Sequence, residues 1–106
     1  MTQDELLAAI QSLVSGRLDI LRRKQHDYAQ GDDAFSNFRT VAAVAGVSVQ
    51  QCFVVWLATK VVRLGQLISN GKYPQNESIR DTLIDIANYA ELFYVWLGTE
   101  KNNPSA

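Results

Sequence analysis

The chain has 106 residues, the length of one domain around one hydrophobic core, so any polar chemistry must share that core's neighbourhood. Hydrophobic residues make up 47% and charged residues 20%, which excludes a disordered composition. A formal charge of -1, from ten basic and eleven acidic side chains with no cationic block, excludes counterion-driven binding to duplex nucleic acid but leaves a single small anion as a ligand.

The first predicted element opens at MTQDELLAAI, an acidic start without the basic region of a secretory signal. Thr2 and Glu5 have capping-box spacing, and Leu6, Ile10, Leu13, Ile20, Leu21 and Tyr28 recur at helical period, which predicts a long helix to about Tyr28. A loop around Gly31 follows, and FSNFRTVAAVAG reads as a short helix stopped by Gly46. Ser48 caps a third helix, Val49 to about Asn70, ended by Gly71, with Pro74 in the next connection. Its Cys52, the one cysteine, excludes an intrachain disulfide and a Cys-based zinc cluster and reads as core filler. A fourth helix starts near Ser78, whose spacing to Asp81 suggests a second capping box, and runs to Gly98.

The expected fold is therefore all-α, a dimeric bundle of three long helices and one short one. Residues 1–98 form a single domain and 99–106 a flexible tail. No apolar run approaches the roughly 20 residues of a membrane span, so the expected location is cytoplasmic, without membrane association.

Several charges fall where a core should be. At about 100° per residue, Phe53, Trp56, Leu57, Leu64 and Leu67 lie within roughly 60° of Lys60, with Arg63 flanking it. In the first helix Leu6, Ile10, Leu13, Ile20 and Tyr28 lie within roughly 40° of Lys24, with Asp27 beside them. The fourth helix has an apolar stripe of Ile79, Leu83, Ile86, Ala90, Phe93 and Leu97. Beside it runs a polar stripe of Glu77, Asp81, Asp85 and Asn88, whose direction is continued by Leu92, Val95 and Trp96. Because the segment from Leu92 to Leu97 is apolar all round, the expectation is that Leu92, Val95 and Trp96 face a partner subunit.

Inward lysines are costly unless they pair or coordinate something, which leaves two readings. One is a salt-bridge network with snorkelling lysine stems. The other is a ligand site: Lys24, Lys60 and Arg63 hold phosphate oxygens while Glu77, Asp81 and Asp85 hold magnesium. The stretch from Lys24 to Arg39 would then fold over that site as a lid. Tyr28, Phe35 or Phe38 would stack on a base, Asp27 and Asp33 would complete the site, and Asp32, Asn37 and Asn88 would supply polar contacts. Against this, Phe35 and Phe38 have the spacing of a packing pair, Asp33 has that of a helix cap, and His26 reads as an exposed helix-end residue. No nucleophile has a histidine at motif spacing, and neither HExxH nor a glycine-rich phosphate loop occurs, so metal-assisted hydrolysis is the remaining candidate chemistry.

These residues read in order KQHDYAQGDDAFSNFR, KVVRL and ESIRDTLIDIANYA. The series resembles the nucleotide modification associated domain, a small, mostly phage-encoded family with the blocks KxxDYxxxxDxFxNxR, DKxxRL and ESxxDxxxDxAxYA. The resemblance covers Lys24 to Ala90 and marks Lys24, Asp27, Tyr28, Asp33, Phe35, Asn37, Lys60, Arg63, Glu77, Asp81, Asp85 and Tyr89. Thr59 stands where many members have an acidic residue. The last block is also similar to the final acidic helix of MazG-like all-α nucleotide pyrophosphohydrolases. Those enzymes add a helix carrying ExxE, and the two helices bind magnesium; here the third helix offers Lys60 and Arg63 instead. The resemblance implies a phage protein that handles nucleotides in the host cytoplasm. The expected function is binding of a nucleotide or nucleoside phosphate by a homodimer or higher homo-oligomer, extending to magnesium-dependent hydrolysis. The alternatives are a non-catalytic sponge for nucleotide signals in anti-defence and a small helical adaptor for another protein.

Overall fold

The structure, a computed structural model, describes residues 1–28, 33–71 and 77–99, without the side chains of residues 25–28 and 77. Asp32, Pro74, the side chains of His26, Asp27, Tyr28 and Glu77, and the tail from residue 100 onward thus lie outside the described residues, as does any lid formed by the connection after Tyr28. Among the described residues the fold is all-α: α1 (Gln3–Tyr28), α2 (Ser36–Ala45), α3 (Val49–Ser69) and α4 (Glu77–Thr99). The chain divides into two units, Met1–Asn37 and Phe38–Ala106.

The first unit is built on α1. Its start is the capping box expected from the sequence: the Thr2 hydroxyl accepts from the Glu5 N–H and the Glu5 carboxylate from the Thr2 N–H, both at 3.1 Å. Leu6, Ile10, Leu13 and Ile20 are exposed, and so is Lys24. The residue of α1 that is buried among those described is Arg17.

In the second unit, α2 ends at Gly46, whose φ of 72° is the left-handed conformation that glycine adopts without Cβ strain. Ser48 then caps α3 in a reciprocal box with Gln51: the Ser48 side chain accepts from the Gln51 N–H at 3.1 Å, and the Gln51 amide oxygen from the Ser48 N–H at 2.8 Å. The helix finishes at Ser69, with Asn70 as C-cap and Gly71, also at φ 72°, beyond it.

The fourth helix departs from expectation at its start. Glu77 is already helical, so Ser78 lies inside the first turn and its carbonyl accepts the Thr82 hydroxyl at 2.7 Å. An acidic residue at that position complements the helix dipole, which lets the helix begin ahead of the serine.

The helices α3 and α4 run antiparallel. Phe53 meets Phe93, Trp56 meets Tyr89 and Lys60 meets Asp85, so successive partners advance along one helix and retreat along the other. The core lies in this pair with α2: Ala42, Val49, Cys52, Phe53, Ile79, Thr82 and Trp96 are buried. The inward face of α4 is thus Ile79, Thr82, Ile86, Tyr89, Phe93 and Trp96. This is rotated toward the polar stripe from the expected one, leaving Leu83 and Leu97 exposed. The rings of α3 set that rotation by stacking on Tyr89 and Phe93, an effect that hydropathy spacing does not register. Trp96, expected at a subunit boundary, is 1% exposed within the single chain, while Val95 points outward.

A second departure concerns α3 as a whole. It is long and apolar enough by length and composition to cross a membrane, contrary to the expectation that no such run exists. Lys60 and Arg63, its two charged residues, are too few to break the run.

Candidate functional site

The inward position of Lys60 follows from helical period. Phe53 is fully buried, and Trp56, Leu57, Leu64 and Leu67 are half-buried on the face that carries the lysine. Its ammonium Nζ lies 2.9 Å from Asp85 Oδ2 on α4, a charge-assisted bond between side chains that are 28% and 36% exposed. The pair therefore sits at the rim of the helix interface and keeps contact with water.

Aromatic rings continue the interface from the ion pair. One turn away on each helix, Trp56 and Tyr89 stack with centroids 5.6 Å apart and planes 21° from parallel. A turn further, Phe53 and Phe93 stack at 5.0 Å and 7°. Phe38 of α2 closes the cluster, lying on Phe53 at 5.0 Å and meeting Trp56 edge-on at 5.4 Å. Of the two sequence readings of Phe38, these contacts describe packing, because its ring faces core neighbours. Arg39 places its guanidinium 5.4 Å from the centre of the Trp96 ring.

The second unit thus joins Lys60 with Asp85. Asp81, one turn before Asp85, is exposed, and Asn88 is half-buried. Arg63 is exposed and lines an open groove of about 540 Å³ on α3 with Val55, Ala58, Thr59, Val62 and Gln66.

The first unit carries the other candidates. Lys24 and Asn37 are exposed and Phe35 is half-buried. Asp33 acts locally, but ahead of α2 rather than as its cap: its carboxylate accepts from the Phe35 N–H at 2.9 Å, and its carbonyl from the Ser36 N–H at 3.1 Å, a turn that leads the chain into the helix.

Sequence reasoning passed over the Trp56–Tyr89 stack and the Arg39–Trp96 contact. Trp56 and Tyr89 were legible only as an apolar-face residue and a motif position. The signal that places them together is the antiparallel register of two helices, which no single helix contains.

Of the expected magnesium donors, the Glu77 side chain lies outside the described residues, which leaves Asp81 and Asp85. Among the described residues no three His, Cys, Asp or Glu side chains come together. Of the two aspartates one turn apart, Asp85 is already neutralised by Lys60, so a cation there would face an adjacent ammonium. Comparison with protein-family models, curated proteins and solved structures finds no match.

Proposed function

We propose that this protein binds a nucleotide or other nucleoside phosphate at the α3–α4 rim, with Lys60 and Arg63 holding phosphate oxygens, and that it returns the ligand unchanged. The observation that carries this reading is the Lys60–Asp85 bond. It holds a cation in place on an otherwise apolar helix face, one turn from a Trp–Tyr stack and one turn from a second cation, Arg63.

A hydrophobic pair at these positions would pack the interface without desolvating charge, so an ion pair here is weak evidence for stability alone. An incoming phosphate competes with Asp85 for the ammonium, and Arg63 adds a planar donor fork suited to phosphate oxygens. The motif blocks around Lys60 and Asp85, which resemble those of a phage nucleotide-handling family, support the same ligand class and a site of action in the host cytoplasm. The sponge reading ranks above hydrolysis because Asp85, one of the two aspartates that would hold magnesium, is already paired with Lys60.

Calorimetric titration with nucleoside mono-, di- and triphosphates, in magnesium and then in chelator, tests the proposal. The expected result is binding of equal strength in both buffers, with no release of phosphate or pyrophosphate. Absence of binding in either buffer overturns the proposal. Binding that requires magnesium and ends in phosphate release restores the hydrolase.

A further inference from the structure

We infer that Asn70, where α3 ends, is a site of spontaneous deamidation gated by the opening of that helix end. The inference is independent of the ligand reading, since it uses neither Lys60 nor Arg63.

Asn70 is the one asparagine of the chain that is followed by glycine. Deamidation begins when the backbone nitrogen of the next residue attacks the carbonyl carbon of the asparagine side chain. A side chain on that next residue crowds the approach, and Gly71 has none. Asn37 and Asn88, by contrast, precede Phe38 and Tyr89. Both Asn70 and Gly71 are exposed, so the water that completes the reaction reaches them.

The reaction balances without a cofactor. The Gly71 nitrogen gives up its proton and bonds to the side-chain carbonyl carbon of Asn70, while the bond from that carbon to the amide nitrogen breaks. The amide leaves as ammonia, carrying the proton, and a cyclic imide remains. Water then opens the imide at one carbonyl or the other, which gives aspartate or isoaspartate.

The folded geometry opposes the first step. As C-cap, Asn70 has φ -84° and ψ 7°, a ψ that turns the Gly71 nitrogen toward Asn70's own nitrogen and away from its side chain. The Asn70 N–H donates to the Gln66 carbonyl at 3.0 Å and the Gly71 N–H to the Ile68 carbonyl at 2.9 Å, so the attacking nitrogen is both misdirected and held in its protonated form. Attack therefore requires the last turn of α3 to open, and helix ends open at low free-energy cost. The product favours further opening. Its new carboxylate lies at the negative end of the helix dipole, and the last turn has no basic residue to offset it.

The test incubates the full chain in mildly alkaline buffer and, in parallel, unfolded in urea, while peptide mass mapping follows each asparagine. Asn70 is expected to convert first in both, roughly tenfold to a hundredfold more slowly in buffer, as for a turn that is open about a tenth to a hundredth of the time. Asn70→Ser, which removes the amide, should abolish the fast conversion in both. The converted chain, separated by its added negative charge, should unfold at lower urea than the parent. A folded chain that converts as fast as the unfolded one overturns the inference, as does one still intact at Asn70 after about a thousand unfolded half-lives. So does conversion that starts at Asn37 or Asn88, a fast phase that survives Asn70→Ser, or a converted chain as stable as the parent.

Discussion

Lys60 decides between two energetic accounts of this protein. In a fully buried pair, removing the lysine strands a carboxylate at a cost of about 3–5 kcal/mol. Here the carboxylate of Asp85 is 36% exposed and can be rehydrated, so the cost is closer to that of a surface pair. Lys60→Met is therefore expected to change unfolding stability in urea by about 1 kcal/mol or less while abolishing nucleotide binding; a loss several times larger would mark the pair as structural. Phe53 behaves differently. It is fully buried and touches Phe38, Trp56 and Phe93, so Phe53→Ala should cost about 3–5 kcal/mol, measured the same way.

Helix boundaries were legible where their signals are local, the start of α4 at Ser78 excepted. Thr2 with Glu5, Ser48, Gly46 and Gly71 each act within a few residues, and each performs the role that its identity predicts. Ser48→Ala should lower stability by about 1 kcal/mol by removing the cap of α3. Gly46→Ala should cost about 1 kcal/mol through its positive φ alone, since a Cβ there meets nothing within 4 Å. Thermal or urea unfolding checks both. The inward side of α3 was equally readable, because five apolar residues share Lys60's direction. The inward side of α4 was not: Leu83 and Leu97 look like core by spacing, yet ring stacking from α3 turns Thr82, Tyr89 and Trp96 inward instead. The pairing of Lys60 with Asp85 was one reading among several until the register of the two helices selected it.

For the whole molecule, the largest gap between sequence and structure is the apolar surface left outside. Leu6, Ile10, Leu13 and Ile20 on α1 were periodic enough to predict burial, and periodicity is silent on whether the covering surface comes from the same chain. A chain that completes its cover by self-association gains stability by mass action, so its melting temperature should rise with protein concentration. Differential scanning calorimetry at two concentrations a hundredfold apart reads this directly; a melting temperature independent of concentration would assign the exposed faces to an isolated chain.

The two tryptophans sit in unlike surroundings, and this makes the protein its own optical gauge. Trp96 is sealed in the core beneath Arg39, whereas Trp56 lies half-exposed on Tyr89, one turn from Lys60. A ligand arriving at the ammonium alters the surroundings of one indole and leaves the other unchanged. Emission from the Trp96→Phe variant should follow nucleotide titration, and emission from Trp56→Phe should stay flat, which turns occupancy of the rim into a signal without any added dye.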